Sequence, residues 1–294
     1  MMTQSAAIHV PVMPREVLRL LQLEQGLTVF DGTLGAAGHS SQILPRILPG
    51  GLLIGTDRDP MMLGFARARL NHPQAMLYRA SYTDAVNILS ESGVRGVDRV
   101  LLDLGLSSDQ LADRNRGFGF DAGGPLDMRF CPDEGTPAAE LLLRSQEQIA
   151  AIFTSWGEEP AADRIAAEIV RLRNSGAPVQ TAADLVSCVE SITGRNRTPV
   201  TRVFQALRIA ANEELQRVSA MLETVLPQIL NPHAIAAVIS FHSLEDRIVK
   251  NAFRSNPGWK VLTNTPVTAQ PAEIRINPRS RPAKLRIARW EPQQ

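Results

Sequence analysis

The sequence predicts an α/β fold, in which a doubly wound, Rossmann-like parallel sheet carries an inserted all-helical domain. Short apolar runs alternate with helical segments between residues 27 and 104, as they do in parallel sheets. The run at 97–104 is almost continuously apolar, which is typical of a strand buried on both faces. Beyond residue 129 the apolar residues recur at helical spacing instead.

The first strand is expected at 27–31 and leads into a glycine-containing loop, after which Ser40 and Ser41 offer caps for a helix. A helix at 61–70, with Pro60 in its first turn, separates the second strand from the third. The expected strands after the first lie at 52–56, 75–82 and 97–104. Right-handed crossovers then bring the carboxyl ends of all four strands to one crevice.

The later part begins with a long ordered loop at 116–129 and continues with amphipathic helices such as 149–156. Thr181 and Asp184 form a capping-box-like helix start. One long helix is expected at 201–230, followed by a buried strand at 234–241 and a final hairpin of 259–263 with 284–290. We therefore expect a main domain at 1–128 and 213–294, and a helical insertion at 129–212 as the candidate substrate-recognition domain.

The composition limits the class of protein. With 31 basic and 30 acidic residues the net charge is +1, so contact with nucleic acid would need local basic patches. The two cysteines, Cys131 and Cys188, form no Cys-x-x-Cys pair and have no histidines at metal spacing, so we expect neither a disulfide framework nor a metal site. The longest apolar run, at 234–240, is too short to cross a membrane, and we expect a cytoplasmic protein.

Acidic residues follow three of the expected strands: Asp31, Asp57 and Asp103. Glycines at 32, 35 and 38 depart from the dinucleotide fingerprint, and an acid at the start of that loop suits the cationic amino acid end of S-adenosylmethionine. Asp57 is placed to accept hydrogen bonds from ribose hydroxyls. As alternatives, Asp31 caps the loop or interacts with a helix dipole, and Asp57 is a solvated turn carboxylate.

Asp103 is followed by Ser107 and Ser108, in the segment where amino-directed methyltransferases keep polar groups that hold the acceptor nitrogen. An exocyclic amine on a base is a poor nucleophile, and hydrogen-bond acceptors assist its attack. His242 follows the last parallel strand and would face the same crevice. Alternatively, the segment around it serves only for helix capping, through Ser243 and Asp246.

Two basic patches are candidate phosphate contacts, the alternative being solvated surface faces. They lie at 194–211 and 275–289, and neither contains an acidic residue. The RNA-binding candidates are Arg195, Arg197, Arg202 and Arg208 in the first patch and Arg279 and Arg281 in the second.

Motifs along nearly the whole chain resemble the bacterial ribosomal RNA small subunit methyltransferase H family. They are His9 to Met13, Asp31 to Ser40, Asp103 to Ser108 with Gln110, Arg116 to Phe118, Gly124 to Arg129, Thr201 to Ile209, Phe241 to Lys250, Asn277 to Ser280 and Lys284 to Ala288.

The resemblance implies a class I S-adenosylmethionine-dependent methyltransferase that modifies N4 of a cytosine in the decoding region of 16S rRNA, cytosine 1402 in the usual rRNA numbering, within the small ribosomal subunit. DNA and membranes are not expected as partners, and a homodimer is left open. Carried over from the family, the cofactor residues would be Ala37, Gly38, His39, Asp57, Tyr82 against the adenine, Asp103 and Gln110, to which the loop analysis adds Asp31 and Gly35.

The chain departs from the family pattern at a few positions, including Asp109, Gly123 and Phe130 with Cys131. The departure that concerns the cofactor loop is Ala37, where the family usually has glycine. A methyl group at that position is tolerated if φ is negative and strained if φ is positive.

Two other functions stay open. One is methylation of an amino group in DNA or protein, although Asp103-Leu104-Gly105-Leu106 stands where DNA amino-methyltransferases typically show Asp-Pro-Pro-Tyr. The other is a ribosome-binding assembly factor that retains the fold without turnover. Cofactor binding without methyl transfer would favour the assembly factor.

Overall fold

The structure is a computed structural model that describes residues 11–120 and 123–292; the motif residues His9 and Val10 lie outside the described residues. Internal contacts divide the chain into two compact units. The first comprises Met1–Gly105 and Leu215–Gln294, and the second comprises Leu106–Glu214. The second unit thus starts earlier in the sequence than residue 129, where we expect the helical insertion to begin.

Eight strands among the described residues form one sheet in the first unit. They are β1 (Thr28–Asp31), β2 (Leu52–Asp57), β3 (Ala75–Arg79), β4 (Val97–Asp103), β5 (Leu230–Ser240), β6 (Trp259–Val261), β7 (Val267–Thr268) and β8 (Lys284–Trp290). Their order is β3-β2-β1-β4-β5-β8-β6, and β7 also pairs with β8. The pairs from β3 to β5 are parallel, whereas β8 runs antiparallel to its three neighbours.

Fourteen α-helices are found in the described part of the chain, and those assigned wholly to the first unit surround its sheet. Before the second unit they are α1 (Pro14–Leu20), α2 (Ser40–Ile47), α3 (Pro60–Arg69) and α4 (Ala85–Glu91). The second unit contains α5 (Ser108–Ala112), α6 (Ala138–Leu141), α7 (Gln146–Gly157), α8 (Ala162–Asn174), α9 (Ala182–Thr193) and α10 (Arg197–Asn212). The chain continues through α11 (Glu214–Ala220), α12 (Leu226–Ile229), α13 (Ser243–Ser255) and α14 (Pro271–Ile276).

Alternation along the central strands explains why both faces of the sheet are covered. Phe30 of β1 and Leu102 of β4 belong to one apolar cluster, while their neighbours Val29 and Leu101 belong to another. All four side chains are fully buried. Because successive strand residues point to opposite faces, each face requires its own layer of helices. The doubly wound, Rossmann-like arrangement predicted from the sequence is therefore confirmed.

The second unit is all-helical in its regular elements and has a separate apolar core. The helical spacing at 149–156 places Ile149, Ile152 and Phe153 in that core. The capping box predicted at Thr181 is present, since its side chain accepts the N–H of Asp184 at 3.1 Å.

Two sequence predictions about secondary structure are wrong. The third strand ends at Arg79 rather than at 82, because Ser81 caps a 3₁₀ turn at Tyr82–Asp84. The helix expected at 201–230 is broken, since Glu213 adopts a left-handed conformation with φ 55° and a π-helical turn occupies Met221–Val225. Among the described residues, no helix is both long and apolar enough to cross a membrane.

Candidate functional site at the carboxyl edge of the sheet

The loop after β1 approaches its neighbours closely at Gly32. A methyl group on Gly32 would lie 2.5 Å from Cδ2 of Leu102 and 2.8 Å from Cβ of Tyr82, so only glycine fits. Gly35 has φ +52°, which glycine adopts without strain. The loop therefore brings its backbone, rather than side chains, to the end of the sheet.

Asp31 lies at the start of this loop and is buried. It accepts the hydroxyl of Ser40 at 2.5 Å and the N–H of Thr33 at 3.2 Å. Burial raises the pKa of Asp31, although these hydrogen bonds oppose the shift. Capping of the loop, one of the structural alternatives considered for Asp31, is thus present. The prediction that Ser40 and Ser41 cap the following helix is wrong. His39 is the N-cap residue of α2 and makes no side-chain capping bond.

Asp57 ends β2 and is held from both sides. Its Oδ2 accepts the N–H of Gly35 at 2.7 Å, and its Oδ1 accepts the N–H of Asp59 at 2.8 Å. Burial raises the pKa of Asp57 to about 6 despite these two hydrogen bonds. The carboxylate is therefore not a freely solvated turn residue. Asp59 caps α3 by accepting the N–H of Met61 at 3.0 Å, with Pro60 in the first turn as predicted.

Asp103 ends β4 beside the same loop. Its N–H donates to Oγ1 of Thr33 at 2.6 Å, and its Oδ2 lies 3.5 Å from Nε2 of His39. His39 is buried, and this nitrogen makes no hydrogen bond within the described structure. The sequence analysis missed Thr33 as a site residue, and the hydroxyl in a glycine-rich loop is the one signal that could have identified it.

Tyr82 follows β3 on the 3₁₀ turn and packs beside Gly32, so it borders the loop that contains Gly35. The turn is fixed by a capping box between Ser81 and Asp84. Arg217 also donates to Oγ of Ser81 at 3.3 Å. Tyr82 is therefore in a defined position at the site edge.

Ala37 adopts φ +60° and is fully buried. A residue with a Cβ atom is strained in this left-handed region, at a cost of roughly 1–2 kcal/mol. The departure from glycine therefore places backbone strain in the cofactor loop, next to Gly38 and His39.

His242 follows β5 and caps α13, its Nδ1 accepting the N–H of Glu245 at 3.4 Å. Glu245 is buried, with Oε2 accepting the N–H of Phe241 at 2.7 Å and Oε1 lying 3.1 Å from Nε2 of His242. The predicted capping pair of Ser243 with Asp246 is wrong, since Asp246 instead accepts two hydrogen bonds from Arg286. Glu245 is a further side chain that the sequence analysis missed.

Three predicted site residues belong to the second unit: Ser107, Ser108 and Gln110. Ser107 and Gln110 form a capping box, in which each side chain accepts the backbone N–H of the other residue at 3.0 Å. Ser108 is the first residue of α5. Ser107 and Gln110 therefore have a structural function at the start of this unit.

The predicted RNA-binding arginines differ in what they contact. Arg195 and Arg197 are exposed, and the guanidinium of Arg197 lies 5.4 Å from the ring centre of Phe120. Nη1 of Arg202 lies 3.6 Å from Glu159, and Arg208 makes a two-bond ion pair with Glu214 at 2.8 and 2.9 Å. In the first unit, Arg279 and Arg281 are exposed. The guanidinium of Arg208 is thus already engaged by a carboxylate.

The first unit thus brings Asp31, Asp57, Asp103 and His39 together around one glycine loop. Its backbone can approach a bound nucleoside closely, and the orphaned buried Nε2 of His39 offers a polar contact. The carboxylates beside the loop suit both hydroxyl donors and a cationic amino group. The residues present therefore fit S-adenosylmethionine.

Comparison with known proteins agrees with this geometry. Residues 6–291 match the MraW methylase family. The chain is 45% identical to ribosomal RNA small subunit methyltransferase H of Sorangium cellulosum, over 96% of this chain and 90% of that protein. Proteins of the same name from Pseudothermotoga lettingae and Nitratidesulfovibrio vulgaris are 44% and 42% identical, covering 96% of this chain and 98% and 95% of their own lengths. The chain belongs to the MraW methylase family, and it is a class I methyltransferase whose cofactor is S-adenosylmethionine.

Proposed function

We propose that this protein methylates N4 of a cytosine in the decoding region of 16S rRNA, with the small ribosomal subunit as its substrate. The observation that supports the proposal most directly is the arrangement of Asp31, Asp57 and Asp103 around one glycine loop at the carboxyl edge of the sheet. The likeness to relatives named for methylation of small-subunit rRNA supports the choice of substrate.

In this proposal Asp31 and Asp57 have separate functions toward the cofactor. Asp31 and the loop amides, with Gly35, Ala37, Gly38 and His39, hold the amino acid end. Asp57 accepts hydrogen bonds from the ribose hydroxyls, for which each of its oxygens retains a lone pair. Tyr82 lies against the adenine, and Gln110 completes the cofactor-binding set.

When bound, S-adenosylmethionine supplies a methyl group on a sulfonium centre. The residues of the chain orient the acceptor amine toward that group. The Asp103 carboxylate accepts a hydrogen bond from the exocyclic amine, which favours a pyramidal nitrogen with an available lone pair. We also propose that Ser107 and Ser108 help to hold the acceptor nitrogen and that His242 lines the pocket for the base. Alignment contributes most of the rate, since orientation alone reaches effective molarities of about 10⁵ M or more.

The test is methyl incorporation into small subunits from a strain that lacks this modification, using isotopically labelled S-adenosylmethionine and nucleoside analysis. Label in N4-methylcytidine is the expected result. Label in another nucleoside, in DNA or in protein would overturn the assigned substrate. Tight cofactor binding without any transfer would identify a non-catalytic assembly factor instead.

A further inference from the structure

The segment 271–281, here called the C-terminal arm, comprises α14 and the 3₁₀ turn after it. It leads directly into β8, whose first residue, Lys284, pairs with Ser240 at the carboxyl end of β5. Since β8 is antiparallel, its beginning lies at the edge of the sheet where the parallel strands end. The C-terminal arm therefore reaches the sheet at the same edge as Asp31, Asp57 and Asp103.

The C-terminal arm is attached to the first unit at defined points. Glu273 accepts the N–H of Met13 at 2.6 Å, and Ile274 packs against an apolar cluster of the sheet. Ser280 is fully buried, and its hydroxyl donates to the carbonyl of Asn277 at 2.8 Å. The segment thus presents its remaining side chains from a fixed backbone.

Those remaining side chains are strongly basic. Arg275, Arg279 and Arg281 are exposed, and no acidic residue occurs from 274 to 290. Two cations on β8, Lys284 and Arg286, share the single carboxylate of Asp246. The positive charge of the C-terminal arm therefore faces solvent and suits a polyanion.

Ile276 lies among these arginines and is 80% exposed. Its side chain contributes almost nothing to the core. Proteins that unstack nucleic acid insert exposed aliphatic or aromatic side chains between bases, with cations on the flanking phosphates. Enzymes that modify a base have to take it out of its stack, which costs a few kcal/mol that the protein contacts must supply.

The second unit is less suited to binding a polyanion, because it carries more acidic than basic residues. Residues 106–214 contain 11 basic and 16 acidic residues. Several of its arginines are engaged within that unit: Arg129 by Asp127, Arg171 by Glu168 and Arg208 by Glu214. The excess of acidic residues in the second unit favours the C-terminal arm as the main source of phosphate contacts.

We infer that the C-terminal arm binds the rRNA strand beside the target base. Arg275, Arg279 and Arg281 contact the flanking phosphates, and Ile276 inserts next to the unstacked base. The inference rests on the proposed function, because it requires an RNA substrate at the cofactor edge of the sheet.

The test compares four variants of the whole chain with the unaltered protein. The first carries Arg275→Gln, Arg279→Gln and Arg281→Gln, and a matched control carries Arg19→Gln, Arg67→Gln and Arg254→Gln, which removes the same charge from other exposed positions. The third is Ile276→Ala, with Ile276→Leu as its conservative counterpart. For each we would measure cofactor affinity by calorimetry, small-subunit affinity against salt, and kcat/KM for methyl transfer.

Loss of three phosphate contacts should reduce the slope of log affinity against log salt by about 2, while the control triple retains most of the slope. Ile276→Ala should lower kcat/KM about tenfold, Ile276→Leu should restore it, and cofactor affinity should be unchanged. Equal salt slopes for the two triple variants, or an unaffected Ile276→Ala, would overturn the inference. Failure of the unaltered protein to methylate rRNA would instead overturn the proposed function.

Discussion

The N–H of Gly35 donates a 2.7 Å hydrogen bond to Oδ2 of Asp57, so the loop after β1 is fastened to the end of β2 by a carboxylate. The two residues that we propose for opposite ends of the cofactor are thus linked before the cofactor binds. Since the pKa of Asp57 is raised to about 6, protonation of one group affects both the loop and the ribose position.

Cofactor affinity should therefore decrease as the pH falls below about 6. The ionised carboxylate is the better acceptor, and binding favours it, so affinity is expected to fall by up to about tenfold per pH unit in that range. Calorimetry between about pH 8 and about pH 5 measures this. Asp57→Asn should bind the cofactor more weakly at all pH values and lose most of the pH dependence. The pH dependence that remains is attributed to Asp31. A pH-independent affinity in the unaltered protein would contradict the assignment.

Ionisation of Asp57, which favours cofactor binding, lowers the stability of the cofactor-free protein. Its folded pKa of about 6 lies above its usual value of 3.8. The stabilising contribution of Asp57 is therefore fully present below pH 3.8 and is lost as the pH rises through 6. Asp57→Asn should remove this contribution from the pH profile of the unfolding midpoint.

Ala37→Gly should reveal the strain in the cofactor loop. Ala37 has φ +60°, whereas its buried neighbour Ala36 is not among the residues with positive φ. Both substitutions delete a buried methyl group and increase backbone freedom, but only Ala37→Gly relieves the left-handed strain. Its unfolding free energy should exceed that of Ala36→Gly by about 1–2 kcal/mol in denaturant titrations. Equal values would show that Ala37 is unstrained.

Asp103→Ala should impair methyl transfer more than cofactor binding. Removing one polar group that supports the acceptor nitrogen is expected to lower kcat by about 10²–10³, while the cofactor Kd changes less than about tenfold. Thr33→Val removes the acceptor of the Asp103 N–H and should have a smaller effect on kcat. Parallel losses in kcat and affinity would assign Asp103 to the cofactor alone.

Asp246→Ala should destabilise the fold. The side chains of Asp246 and Arg286 are 14% and 8% exposed, and the variant leaves the guanidinium buried without its carboxylate. The expected loss is about 3–5 kcal/mol, measured by denaturant unfolding. Glu168→Ala, which breaks the more exposed pair with Arg171, should cause little change. Similar losses for the two variants would disprove the importance of burial.

The contacts of Asp246 also determine how the stability of the fold depends on pH in the acidic range. Burial acts to raise the pKa of Asp246, but the hydrogen bonds and charge of Arg286, with the charge of Lys284, outweigh it and hold the pKa below its usual value. The stability from this pair is present above the unfolded pKa of about 3.8 and is lost as the pH falls through the folded pKa.

Much of the fold could be predicted because the buried strands are continuous apolar runs. The placement of Asp31, Asp57 and Asp103 at one edge followed from parallel pairing alone. The wrong predictions arose where other interactions outweighed local sequence preferences. Glu213 favours helices intrinsically, so its left-handed conformation, which ends α10, has no compositional signal.

Several contacts in the site depend on residues that are distant in sequence and could not be predicted from local pattern. Thr33 meets Asp103, and Asp246 meets Arg286, only after the sheet has assembled. Local capping rules assign Asp246 to Ser243, whereas the buried arginine on β8 provides a stronger, charged partner.

The second unit separates β4 from β5 in the sequence, and this separation affects folding during synthesis. These strands pair along their length although about 130 residues separate them, so the ribosome exposes a bare apolar β4 edge long before its neighbour emerges. Nascent chains should be most prone to intermolecular pairing during that interval, and the backbone of Asp103 can pair with Ile239 only after β5 has been translated.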